Sequence, residues 1–210
     1  MKKGIIFDMD GTLWDSAEPV AKSWNIEAKR LGYEYSITAK DIMSVMGKPM
    51  DELAAIIFNR EPKEVQARLL KACGDYENEY LRENGGTLYP ELRNTMETLM
   101  GMGYHLYIVS NCQSGYIEAF LDYYKFHDLF EDIECFGNNN LQKNENISLI
   151  VKRNNLDKAV YIGDIQGDYD STMKAGLPFI HAAYGFGKIN AVVPVITTLS
   201  DLPKIIASII

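Results

Sequence analysis

Residues 4–12 read Gly4-Ile5-Ile6-Phe7-Asp8-Met9-Asp10-Gly11-Thr12, and this stretch decides the fold. Its apolar run does not alternate with polar residues, as expected for a strand buried on both faces of a parallel sheet. The run stops at two carboxylates and a glycine, the residue that lets a chain turn sharply. Three more runs of this kind follow: Leu106-Tyr107-Ile108-Val109, Ala159-Val160-Tyr161-Ile162 and Pro178-Phe179-Ile180. Helical patterns separate them. Glu91 to Met102 carries Leu92, Met96, Leu99 and Met100 on one stripe and ends at Gly101 and Gly103. Gly115 to Tyr124, Glu145 to Arg153 and Asp168 to Ala175 read in the same way. This alternation predicts an α/β fold built on a doubly wound, mostly parallel sheet.

Residues 15–85 break the alternation and predict an inserted α-helical domain, leaving 1–14 and 86–210 as the α/β core. Val20, Trp24, Ala28 and Leu31 mark one apolar stripe of the insert, and Leu53, Ile56 and Ile57 a second. Gly85-Gly86 ends it, and Tyr89-Pro90 opens the next helix. The polar run Gly137-Asn138-Asn139-Asn140 reads as a loop.

The first three apolar runs of the core end in Asp8, Ser110-Asn111 and Gly163-Asp164. Open α/β sheets bind ligands beyond the carboxyl ends of their strands, where these residues would converge. Asp8 at a strand end can present a carboxylate oxygen to an electrophile. A metal bridging Asp8 and an anionic phosphate would hold the two together, with the main-chain carbonyl of Asp10 on the metal. The Asp10 side chain is then free to donate a proton to a leaving oxygen and later take one from water. Thr12 suits the phosphate oxygens, and Ser110 and Asn111 could take two more. Asp164 and Asp168 lie four residues apart across a turn into a helix. One direct and one water-held carboxylate suit magnesium. Lys143, in the loop before a helix, could offset charge between Asp8 and the phosphate. Each feature also has a plain structural reading: a turn, a helix cap, an acidic helix start or a solvated lysine.

The whole chain narrows the choice. With 21 Lys and Arg against 29 Asp and Glu, the formal charge is −8, which repels nucleic-acid backbones. The three cysteines show neither a disulfide framework nor zinc-site spacing. No apolar run reaches membrane-spanning length, and Met1-Lys2-Lys3-Gly4 precedes too short an apolar stretch for a secretory leader. A cytoplasmic protein that engages neither membrane nor nucleic acid is expected. Nothing in the residues sets an oligomeric state.

Taken together, the motifs resemble the haloacid-dehalogenase-like hydrolase superfamily, in its subgroup with a helical cap inserted after the first strand. The resemblance rests on Asp8-x-Asp10-Gly11-Thr12-Leu13, then Ser110-Asn111, Lys143, and Gly163-Asp164-x-x-x-Asp168. Trp14-Asp15-Ser16, Gly47-Lys48-Pro49, Gly176-Leu177-Pro178-Phe179 and Tyr184-Gly185-Phe186-Gly187 are similar to the phosphoglycolate-phosphatase-like branch. It implies Asp8 as nucleophile, Asp10 as general acid and base, and Ser110 and Lys143 on the phosphoryl group. It also implies Mg²⁺ held by Asp8, Asp10 and Asp164, with Asp168 as a metal–water partner, and a mobile cap. The family usually has proline after the motif lysine, whereas Asn144 stands here. Within the resemblance, Asp10 favours phosphate-ester over dehalogenase or phosphonate chemistry. Val20, where sugar-phosphate mutases carry a cap histidine, argues against a mutase.

The expected function is therefore Mg-dependent hydrolysis of a small phosphorylated metabolite through a phosphoaspartate. The alternatives are a sugar-phosphate or nucleotide phosphatase, or a phosphate-binding regulatory protein without turnover.

Overall fold

The computed structural model describes residues 1–48 and 50–210. Pro49, the last residue of the Gly47-Lys48-Pro49 stretch, lies outside the described residues.

β1 (Lys3–Phe7) and β2 (Trp14–Asp15) are followed by four helices: α1 (Ala17–Arg30), α2 (Ala39–Val45), α3 (Met50–Ile57) and α4 (Lys63–Asn84). β3 (Thr87–Leu88) then pairs antiparallel with β2, so a two-stranded clasp closes the neck of the helical segment. Helices and strands alternate from there: α5 (Leu92–Gly101), β4 (Tyr104–Ser110), α6 (Tyr116–Tyr124), β5 (Asp132–Cys135), α7 (Phe136–Asn139), α8 (Lys143–Arg153), β6 (Lys158–Gly163), α9 (Gln166–Ala175) and β7 (Phe179–Ala182). β8 (Val195–Ile196) and α10 (Leu202–Ile205) complete the order. The six-stranded sheet runs β5-β4-β1-β6-β7-β8 with every pairing parallel. The α/β fold expected from the sequence is the fold observed.

The continuous apolar runs have a direct cause in this sheet. Successive side chains of a strand point to opposite faces, and both faces are covered. Ile5, Phe7, Leu106, Ile108, Val160 and Ile162 pack in one core cluster. Their neighbours Ile6, Tyr107, Val109, Ala159 and Tyr161 pack in the other, with Ile147 and Ile150 of α8. In the helical segment, Val20, Trp24 and Ala28 bury one stripe of α1, and α1 packs on α4. Trp24 stacks on Phe58 with ring centroids 5.4 Å apart.

Several local expectations need correction. Leu31 caps the end of α1 and is 37% exposed, so the stripe stops at Ala28. Ile56 is 45% exposed; Ala54 and Phe58, one turn apart on the side opposite Ile56, form the buried face instead, with Leu53 and Ile57 partly buried at its flank. The run Gly137–Asn140 is not simply a loop: Phe136–Asn139 make a short helix that ends at Asn140 in the left-handed conformation, φ 60°. Lys143 is the first residue of α8, not a loop residue, because Gln142 and Glu145 cap that helix earlier than the apolar pattern suggests. The strands Asp132–Cys135 and Val195–Ile196 lie at or near the sheet edges, where short, partly polar strands leave a weak pattern. No helix among the described residues is long and apolar enough to cross a membrane.

Candidate active site

β4, β1 and β6 are neighbours in the sheet, so their carboxyl ends bring Ser110, Asp8 and Asp164 to one place. The Asp8 N–H donates to Ile162 O at 2.9 Å, extending the β1–β6 pairing by one residue into the site. Gly11 then turns the chain at φ 80°, where a Cβ would collide with the Asp164 carboxylate. Gly185 meets the same limit from the other side, since its Cβ would strike Gly11 O and Asp164. The Tyr184-Gly185-Phe186-Gly187 stretch thus packs directly on the first motif. Tyr184 OH donates to Thr12 O at 2.9 Å, and Phe186 N donates to Asp164 Oδ2 at 2.7 Å.

Lys143 reaches in from the start of α8. Its buried Nζ donates to Asp8 Oδ1 at 2.8 Å and to Asp168 Oδ1 at 2.6 Å. Asp168 Oδ2 accepts the N–H groups of Asp164 and Ile165, at 3.1 and 3.2 Å, so this carboxylate also shapes the first turn of α9. Asp8 Oδ2 accepts no hydrogen bond from the described residues, and Asp8 lines a cleft of about 560 Å³ that is partly open to solvent. Asp10, Ser110 and Asn111 line the same cleft. Asn111 Nδ2 donates to Gly47 O at 2.9 Å, linking the core to the helical segment. Thr12 is buried away from the cleft lining, and its Oγ1 finds no partner among the described residues.

Two residues to which the motifs assign no role hold Asp10. Ser16 Oγ and Tyr116 OH each lie 2.7 Å from Asp10 Oδ1, and 2.7 Å from each other. Ser16 stands within Trp14-Asp15-Ser16, the stretch similar to the phosphoglycolate-phosphatase-like branch. Tyr116 is 106 residues from Asp10 and carries no local signal.

The electrostatics follow from burial. Loss of water pushes the Asp8 carboxyl up to about 7, with the Asp168 charge adding to the rise and Lys143 opposing it. Burial likewise raises Asp10, against the hydrogen bonds from Ser16 and Tyr116. Asp164 is pushed up to about 8 by burial and then by Asp168 and Asp8. Burial works against the Lys143 charge, yet Asp168 and Asp8 outweigh it and hold its pKa well above the usual lysine value.

Oxygens of Asp8, Asp164 and Asp168 all lie within 4.8 Å of one another. Lys143 balances one of these three charges, leaving two uncompensated when all are ionised. Buried charge of that size is costly unless a cation offsets it. Asp164 Oδ1 is buried and has no hydrogen-bond partner among the described residues. The donors are all carboxylate oxygens, the hard ligands that suit Mg²⁺. The residues therefore fit a small divalent cation. Asp8 and Asp164 are the available direct ligands; both Asp168 oxygens already hold donors.

The family model for haloacid dehalogenase-like hydrolases matches residues 5–182. The chain belongs to that family. Phosphoglycolate phosphatase from Aquifex aeolicus is 27% identical over 214 residues, covering 96% of this chain and 95% of the relative. Phosphoglycolate phosphatase from Aliivibrio fischeri is 24% identical over 195 residues, covering 88% and 85%. Among solved structures, a haloacid dehalogenase-like family hydrolase from Streptococcus pneumoniae superposes with TM-score 0.79 at 21% identity, covering 99% of this chain and 97% of the other. A mutant of CbbY from Rhodobacter sphaeroides, in complex with xylulose-(1,5)-bisphosphate, gives TM-score 0.78 at 17% identity, covering 96% of each.

Proposed function

We propose that this chain is a magnesium-dependent phosphatase of the phosphoglycolate-phosphatase type, hydrolysing a small phosphate monoester through a phosphorylated Asp8. One observation carries the reading. Asp8 belongs both to the buried carboxylate cluster and to the lining of the cleft, so one side chain can face a cation and a phosphoryl group together. Residues 15–85 act as a cap over the core, 1–14 and 86–210, keeping bulk water from the reacting groups. The three free, buried cysteines suit a cytoplasmic setting.

In the first half-reaction an Asp8 oxygen bonds to phosphorus while the bond from phosphorus to the ester oxygen breaks. The Asp10 carboxyl gives its proton to the departing alkoxide. Burial raises the Asp10 pKa and so favours the protonated form this step needs. Ser16 and Tyr116 hold one oxygen of Asp10 and leave the other for the transfer. In the second half-reaction water attacks the phosphoaspartate, and Asp10 takes the water's proton. The bond from phosphorus to Asp8 breaks, which releases phosphate and restores the enzyme. Ser110 binds phosphoryl oxygens, and Lys143 offsets charge beside Asp8. Mg²⁺, when bound, would be held by Asp8, Asp164 and the Asp10 carbonyl, with Asp168 behind them, and would supply positive charge that offsets the anionic phosphoryl group.

Turnover of nitrophenyl phosphate by purified protein in Mg²⁺, with loss of activity in chelator, tests the reading. A folded protein that binds phosphate without turnover would replace it with the regulatory alternative. Metal binding has its own readout. Mg²⁺ at a hundred times its Kd should stabilise the fold by about 2.7 kcal/mol. For a chain of this size that raises Tm by roughly 5–10 °C. Asp164→Asn should remove most of the shift; an unchanged shift in that variant would move the metal elsewhere.

A further inference from the structure

Granting the phosphatase reading, the cleft beyond the phosphoryl end also carries information about the alcohol. Val20, Trp24, Ile42, Met46, Met50 and Leu53 give it apolar walls. Among them stands one acid, Glu77 of α4, only 3% exposed. Its Oε2 accepts a hydrogen bond from Trp24 Nε1, and its Oε1 accepts from Gln113 Nε2 at 3.1 Å. Burial pushes the carboxyl up to about 7, the mark of a charge that has lost its water.

Packing alone does not call for a carboxylate here. The Trp24 N–H needs one acceptor, and a neutral amide supplies that without burying an ionisable group. A carboxylate offers about four acceptor positions, so Trp24 and Gln113 leave room for a further donor. Glu77 lines the same cleft as Asp8 and Asp10, where the alcohol part of an ester has to lie.

We propose that Glu77 selects the leaving group: the substrate is the phosphate monoester of a small alcohol that carries a second hydroxyl or an ammonium group, donated to Glu77. The rest of that alcohol is short and apolar enough for the six walls. Where Glu77 is ionised, above about pH 7, a carboxylate at that end, as in phosphoglycolate, meets it with like charge in a water-poor cleft and is disfavoured. Lys48 also lines the cleft, half-buried, and is its one basic residue among the described residues. An anionic substrate would depend on Lys48, so the two side chains make opposite demands.

The test compares kcat/KM at pH 8, above the Glu77 value of about 7, for glycerol 3-phosphate, phosphoethanolamine and 2-phosphoglycolate in Mg²⁺, in the natural protein, Glu77→Gln and Lys48→Met. Glycerol 3-phosphate or phosphoethanolamine should exceed phosphoglycolate by tenfold or more, and Glu77→Gln should cut that ratio by about tenfold. Taking the ratio within one preparation cancels any loss of folded protein. An ammonium donor should suffer more than a hydroxyl in Glu77→Gln, which separates the two sources. Preference for phosphoglycolate that Lys48→Met removes would overturn the proposal, as would a ratio that Glu77→Gln leaves within threefold. Those outcomes leave the phosphatase reading standing. Failure to turn over even nitrophenyl phosphate would take both readings down.

Discussion

Asp8→Asn is expected to abolish turnover, by a factor on the order of 10⁵ or more, as for removal of an enzyme's nucleophile elsewhere. An amide cannot form the acyl phosphate, and no other carboxylate is placed to replace it. Asp164 is turned to Phe186 N, and Asp168 is held by Lys143 and two backbone N–H groups. The fold should survive. The Asp8 carboxyl is raised from an ordinary value of 3.8 to about 7, chiefly by burial. A group raised in the folded state contributes stability that is fully present below its unfolded pKa and lost as pH rises through its folded one. Without metal, the ionised Asp8 therefore weakens the native protein above about pH 7. Asparagine removes that charge, while Lys143 keeps Asp168 as a partner. Melting curves in chelator at pH 8 should place the variant level with the natural protein or above it. Near-normal rates from a sequence-verified preparation would falsify the nucleophile assignment.

The second large effect is selective. Asp10→Asn should slow alkyl phosphates by about 10²–10⁴-fold, the usual worth of general acid catalysis. Nitrophenolate departs without a proton, so phosphorylation by nitrophenyl phosphate should lose far less. Water attack also needs Asp10, so the phosphoenzyme should accumulate and appear as a burst of nitrophenolate before slow turnover. Ser16 and Tyr116 can still hydrogen-bond the asparagine carbonyl, so the local structure has reason to persist. A purely structural Asp10 predicts equal losses on both esters, no burst and a lower Tm. Rapid-mixing kinetics on the two ester types, with a melting curve, separates these outcomes.

The resemblance and the site are legible to different depths. The Asp8–Thr12 run, the serine–asparagine pair and the Gly163-Asp164 turn can be read residue by residue. Each is local, an apolar strand followed by a polar end, and strand order then brings the three ends together. Lys143 is harder to read because its role depends on where α8 begins. Two capping residues decide that, and the apolar stripe does not. Asn111 reads as a phosphate ligand, but in the fold its amide spans to Gly47 of the helical segment. Such a bond depends on how that segment sits over the core, which no short window of sequence contains.

Short stretches of sequence suffice for the alternation of buried strands and amphipathic helices, and for the polar side chains at three strand ends. Both rest on short-range causes, since side-chain period and turn propensity act within a few residues. The tertiary structure alone decided which distant groups meet. Lys143 bridges to Asp8 across 135 residues, Tyr116 reaches Asp10 across 106, and Trp24 and Glu77, 53 residues apart, meet in the cleft lining from the helical segment. Those meetings follow from the order β4-β1-β6 and from α1 packing on α4. Burying apolar surface over the whole chain sets that arrangement, and burial is largely indifferent to which polar groups it carries inward. The raised carboxyls of Asp8, Asp164 and Glu77 are its consequence, because water is lost only when remote elements close over them.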